Sequence, residues 1–182
     1  MLPNAAYNGY NLDKVTADPQ NGKDYATLMV ALVAPLSRGT VALNSPNMWD
    51  LPKVDPAWYT AGADRELVLQ AFKHNRAIWQ ILADLGVADP VEAFPGPAVQ
   101  TEDQIMEWIG EAMITVYHAA STCIMGRADD EMAVVDSDAF VFGTQRLRIV
   151  DASAFPFLPP GHPQATIYAF AEKVADSIIT GS

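Results

Sequence analysis

Two of the three histidines in this 182-residue chain stand where an imidazole could do chemistry. His118 lies in "VYHAAS", followed by the small residues Ala119, Ala120 and Ser121, which leave room for a molecule to approach its ring. His162 lies in "PPGHPQAT", where Pro159, Pro160 and Pro163 stiffen the approach to an apolar helix. Imidazole exchanges protons near neutral pH, so acid–base work is the chemistry such residues offer. The residues alone leave the plainer alternative open, that each is a satisfied core or loop histidine. His74, in "FKHNR" on the polar part of a helical pattern, has the setting of a solvated residue.

The start of the last helix is a second candidate. A first turn exposes free backbone N–H groups and about half a positive charge, a ready place for negative charge. Pro163 at the first helical position costs nothing there, since that N–H would be unpaired in any case. The turn "PQAT" carries no acidic side chain to occupy its own pole. An ordinary proline-started helix accounts for the same residues.

Other chemistries find little support. No histidines sit at helical spacing and there is no CxxC, so no metal site is expected. Cys123 is the single cysteine, which rules out an internal disulfide, and its expected place is the buried core. No G-x-S-x-G elbow, no P-loop and no G-x-G is present. A net charge of −11 argues against nucleic acid or an anionic membrane as partner. The one dense acidic run, "ADDE" at 128–131, reads as a solvated loop. The N-terminal segment lacks a signal peptide's basic start and apolar core, and no stretch reaches the length of a membrane span, so a cytoplasmic protein is expected.

The elements that must position these residues read as α+β, a mixed sheet with packed helices. Residues 1–24 are polar and turn-rich and form an N-terminal arm; 25–182 form the domain. "YATLMVALVAP" (25–35) suggests a buried strand, "LSRG" a hairpin-like turn, and "GTVALN" (39–44) a second strand. Residues 44–58, with three prolines, read as an ordered loop. Helical spacing runs from Ala63 to Leu85 with Gly86 as its stop, and a second helix follows Thr101 as N-cap. "ITVYHAAS" (114–121) favours an extended conformation, and 139–153 two short strands around Gly143. The last helix, 163–180, is apolar over most of its circumference and should be buried on more than one side.

Three segments then carry a resemblance: "YHAASTCIMG" (117–126), "VVDSDAFVFGTQRLRIVDASAFP" (134–156) and "PPGHPQATIYAFAEKVAD" (159–176). In this order they resemble the C-terminal end of glucose–methanol–choline (GMC) oxidoreductases, FAD-dependent enzymes that oxidise alcohols. "PLSRGTVALNS" (35–45) is similar to the start of that region, and the likeness is to fungal members of aryl-alcohol and secondary-metabolite type. The resemblance implies that His118 is the base taking the alcohol proton and that His162 hydrogen-bonds the substrate hydroxyl, with Tyr117 beside the substrate. It implies that Asp151 and Ala152 meet the FAD diphosphate and ribityl region, and that Pro163 and Gln164 face the flavin ring. Two positions depart from the pattern: Phe140 stands where arginine is common, and Arg146 where glycine is common.

The glycine-rich βαβ unit that binds FAD in the family is not found in the sequence. The chain is therefore expected to be the C-terminal part of such an oxidoreductase, a fragment or one half of a split enzyme, not holding FAD by itself. A second chain would then supply the FAD-binding half, and the substrate would be a small alcohol or polyketide-like molecule. The alternative is a stand-alone, FAD-independent acid–base catalyst (a cyclase, dehydratase or isomerase) using the same two histidines. The polar arm from Met1 suits that alternative.

Overall fold

A computed structural model of the chain describes residues 22–181; nearly all of the expected arm 1–24 lies outside them. The elements in order are β1 (Thr40–Ala42), β2 (Lys53–Asp55), α1 (Gly62–Asp84), α2 (Glu102–Ala112), a 3₁₀ turn (Ala152–Ala154) and α3 (Gln164–Thr180). The class is α+β, with helices dominant and a two-stranded sheet. The chain divides into two compact units, one containing Tyr59–Val116 together with residues up to Leu32, the other Val33–Trp58 with the segment from Tyr117 onward.

In the first unit α1 and α2 pack through the apolar stripes that their spacing encodes. Val68 and Leu69 of α1 meet Ile105 and Ile109 of α2, and Ile105 is only 2 % exposed. Burying each such side chain is worth about 1.5–3 kcal/mol relative to exposure. Phe72 and Trp108 meet across the helices with ring centroids 5.6 Å apart. The ends are set locally. At the close of α1, Val87 N–H donates to the Leu82 carbonyl and Gly86 N–H to that of Ala83, each at 2.9 Å. That Schellman pattern needs a left-handed residue, and Gly86 supplies it at φ +70°. Thr101 and Gln104 form a reciprocal capping box at the start of α2. Arg76, stacked over Phe72, pairs with Glu92 and so ties the segment after α1 back onto the helix.

Tyr59 packs against this core, and its phenol is raised from the ordinary value by burial first and by the Asp64 carboxylate second.

In the second unit, β1 and β2 pair antiparallel with Val41 opposite Val54. Gly39 lies so close to the partner strand that a Cβ there would come within 2.3 Å of the Asp55 carbonyl oxygen. A larger residue would push the hairpin apart. Val135, Ala139 and Ala154 are fully buried, with Phe155 and Val174 nearly so. Phe155 reaches Phe170 of α3, centroids 6.0 Å apart.

Several expectations need correction. Residues 25–35 form no strand: no ladder pairs them among the described residues, and Met29, Val30 and Val33 are exposed. The hairpin partner of β1 lies instead in 44–58, expected to be loop, where the alternating "KVD" forms β2. Residues 114–121 lie outside any helix, as their extended reading has it, with Tyr117 and Ser121 interrupting the segment in left-handed backbone. The two strands expected around Gly143 are reduced to isolated bridges, Val135 with Val141 and Phe140 with Arg148. Of α3, Val174 alone is buried, while Tyr168, Ile178 and Ile179 face outward. Cys123 is half-buried, its N–H bound to the Ser153 carbonyl at the edge of the packed segment.

The two departures from the family pattern have local consequences. The Arg148 guanidinium stacks 3.9 Å above the Phe140 ring, using the aromatic face that an arginine there would not offer. Arg146 is held at φ +59°, a conformation that favours glycine.

Two tests follow from this packing. Because the folded protein raises the Tyr59 pKa, its contribution to stability is present below the ordinary tyrosine range and is lost as pH rises through the folded value. Absorbance titration should show one phenol ionising late, and Tyr59→Phe should remove that phase; a single normal phenol population would contradict it. Arg146→Gly should stabilise the fold by about 0.5–1 kcal/mol, the left-handed cost relieved less the entropy of glycine. Urea unfolding with an unchanged or lowered midpoint would count against it.

Candidate active site

His118 and His162, 44 residues apart in sequence, meet in the second unit. His118 Nε2 lies 2.7 Å from His162 Nδ1, and the rings stand edge to face at 83° with centroids 4.9 Å apart. His118 is half-buried and His162 exposed. A bond between two ring nitrogens needs one N–H and one lone pair, so the two nitrogens share one proton. If His162 Nδ1 donates, His118 Nε2 presents its lone pair; if His118 donates, His162 keeps its remaining N–H on Nε2. Either arrangement gives the pair an acceptor and a donor for an incoming hydroxyl.

Local backbone sets this meeting. Tyr117, just before His118, is at φ +61°, and Ser121, just after the small residues, is at φ +66°. Left-handed backbone is uncommon for a bulky residue, and such strain persists only where surroundings over-determine it. Beyond the loop, N–H groups of Ser121, Cys123 and Met125 donate to the carbonyls of Ala152, Ser153 and Ala154, at 3.1, 2.9 and 2.9 Å. His162 follows Gly161, itself at φ +81°, and precedes buried Pro163. Pro163 has helical backbone and accepts the first bond of α3, from Ile167 at 2.9 Å.

The remaining sequence-derived candidates fall into place as follows. The first turn of α3 has no side-chain cap and no acidic residue, and Gln164 is exposed beside Pro163. This donor set suits an electron-rich group such as the pyrimidine end of a flavin. The Ala152 carbonyl is occupied by the N–H groups of Ser121 and Phe155. The Asp151 carboxylate accepts from Ser153 N–H at 2.7 Å and from the Ser153 hydroxyl. It therefore caps the 3₁₀ turn, a role that sequence reasoning missed although an aspartate two residues before a serine is an N-cap pattern. Tyr117 is 88 % exposed.

Elsewhere in the unit, a hollow of about 650 Å³ is lined by Gly126, Arg127, Asp129, Asp136 and Phe142. It contains none of the candidate residues. Its Arg127–Asp129 pair is exposed on both sides, with the hydrogen bond from Arg127 lowering the Asp129 pKa, and such pairs contribute little. Among the described residues no cluster of three or more metal-binding side chains occurs, and no helix is long and apolar enough to cross a membrane.

The family model of GMC oxidoreductases, in its C-terminal part, matches residues 35–171. The chain belongs to the GMC oxidoreductase family. It is 44 % identical over 178 residues to patulin synthase of Penicillium expansum, covering 98 % of this chain and 28 % of that protein. Versicolorin B synthase stcN of Emericella nidulans is 44 % identical over 171 residues, covering 94 % of this chain and 27 % of its own length. Among solved structures, an FAD-dependent oxidoreductase from Chaetomium thermophilum superposes with a TM-score of 0.72 at 36 % identity, over 82 % of this chain and 26 % of that one. The chain thus spans about a quarter of the length of the curated relatives it matches.

The hydrogen bond between the histidines makes a direct prediction. His162→Ala should abolish the shared ring-nitrogen proton seen from His118 by ¹⁵N-edited NMR, while His162→Asn, whose amide can donate, should restore a hydrogen bond to His118. An unchanged His118 spectrum in both variants would mean the rings do not share a proton.

Proposed function

We propose that this region serves a GMC-type oxidoreductase that oxidises an alcohol group of a small organic molecule. The observation that carries the reading is the 2.7 Å approach of His118 Nε2 to His162 Nδ1 in a chain of this family. A substrate hydroxyl entering between the rings would donate to His118 Nε2 and accept from His162 Nδ1–H. With two hydrogen bonds of ordinary length meeting at one oxygen, the nitrogens would stand about 4.5 Å apart. The side chains must therefore swing open, and the exposed His162 is the one free to move.

FAD, when bound, supplies the acceptor for the hydride that leaves the carbinol carbon. This chain's own work is proton handling and orientation. His118 takes the hydroxyl proton as general base, His162 holds the oxygen in line, and Tyr117 borders the substrate. Pro163 and Gln164, at the open pole of α3, would hold the flavin ring, with Asp151 and Ala152 toward the diphosphate and ribityl portion. The pole's partial positive charge would favour negative charge on that ring. These residues address the flavin end only, so we infer that FAD is held with polypeptide beyond this chain, either the rest of a longer chain or a second one.

A second reading uses the same pair without redox chemistry, as a cofactor-independent cyclase, dehydratase or isomerase. Two imidazoles sharing one proton form an acid–base couple by themselves, and one relative bears the name versicolorin B synthase.

In the enzyme that contains this chain, loaded with FAD, His118→Ala should lower turnover by about 10²–10⁴-fold, the usual loss for a positioned base. His162→Ala should also lower it, with partial recovery in His162→Asn. A substrate deuterated at the carbinol carbon should show a primary isotope effect where chemistry limits the rate. No isotope effect, together with loss of turnover in the histidine variants, would select the non-redox reading. Full turnover in both variants would remove both.

A further inference from the structure

The 3₁₀ turn Ala152–Ala154 is connected to both histidines. On one side its three carbonyls accept the N–H groups of Ser121, Cys123 and Met125, which fix the segment leaving His118. On the other side, Phe155 closes the turn by donating its N–H to Ala152 and rests its ring on Phe170 of α3, the helix that His162 introduces. The turn is only three residues long, too short to hold itself by repeated hydrogen bonds. Its start is held by one side chain: Asp151 accepts from both the N–H and the hydroxyl of Ser153.

We propose that Asp151 is a positioning residue for the histidine pair, acting through the turn that it caps. The carboxylate fixes Ser153, Ser153 fixes the carbonyl that receives Cys123, and the neighbouring bonds of Ser121 and Met125 keep their register. Ser121 is left-handed and three residues from His118, so a shift of the rungs rotates the loop that aims the imidazole. The buried end of the turn carries the same constraint to α3 through Phe155, which is 9 % exposed. Contact with a cofactor is not needed for this role. Its catalytic meaning rests on the reading above; the geometry does not.

The test uses the 182-residue chain without FAD, so that cofactor binding cannot enter. Asp151→Ala should raise amide exchange at Ser121, Cys123 and Met125 about fivefold, the factor expected from losing an N-cap. The shared-proton signal between His118 and His162 should weaken or vanish in the same variant. Asp151→Asn retains an acceptor for the Ser153 N–H and should restore both readouts in large part, while Ser153→Ala should give a smaller loss than Asp151→Ala. Helix content by circular dichroism identifies variants that fold. A folded Asp151→Ala with an unaltered imidazole signal would overturn the proposal. If Asp151→Ala unfolds, Ser153→Ala decides in its place, and a folded Ser153→Ala with an unmoved signal overturns it equally. Unfolding of all three variants would overturn it too, because Asp151 would then support the whole fold rather than place two side chains. Loss of the signal with normal turnover in the loaded enzyme would leave this geometry standing and remove the catalytic reading instead.

Discussion

Three backbone hydrogen bonds, from Ser121, Cys123 and Met125 to the carbonyls of Ala152, Ser153 and Ala154, organise the second unit. They join two segments about 30 residues apart, so their formation closes a long loop whose entropy cost grows only slowly with length. Much of the unit's other order follows from them. Val135 bridges to Met125, and Val141 bridges to Val135, so the intervening turns stack outward from the same ladder. The buried positions Val135, Ala139 and Ala154 lie along these stacked segments, two of them alanines where backbones approach closely. A buried backbone group without a partner is costly, which keeps such a ladder in register.

That constraint explains why the histidines meet in a unit with so little regular secondary structure. His118 is on neither a helix nor a strand, and His162 lies just before one. Their placement relies on left-handed Tyr117 and Ser121 on one side and on a proline-bounded bend on the other. Strained loops can aim a side chain where a regular element could not, provided that neighbouring hydrogen bonds hold them. The first unit is built differently. Its two helices bury a shared apolar seam, its ends are capped by local motifs, and its ion pair of Arg76 with Glu92 fastens a loop to a helix.

The exposed apolar surface is the other marked feature. Met48, Trp49 and Leu51 face outward at the tip of the hairpin, although Ser45, Asn47 and Asp50 hold that loop by side-chain hydrogen bonds. Ile179 near the end of α3 and Met29 in the first unit are similarly uncovered. Apolar patterning encodes a preference for burial without naming the surface that does the burying. Apolar pattern alone therefore does not make core of residues 25–35 or of the full circumference of α3. Both runs are apolar, and the described residues do not cover them.

The sequence by itself determined what depends on neighbours within a few residues. Helical spacing, the Thr101 cap, the Gly86 stop and the proline-set start of α3 are short-range effects, and all were legible. The ordered motifs around His118, Asp151 and His162 also carried the family, because a chain of such local patterns is specific even when its folding is not deduced. Tertiary structure alone decided which strand β1 pairs with, since a three-residue strand has too little pattern to select a partner across a ten-residue loop. It alone brought the carbonyls of Ala152, Ser153 and Ala154 to the N–H groups of Ser121, Cys123 and Met125, and set two imidazoles 2.7 Å apart across 44 residues. Such distances arise from the summed backbone geometry of many turns, several in left-handed conformations that no residue type except glycine announces in advance.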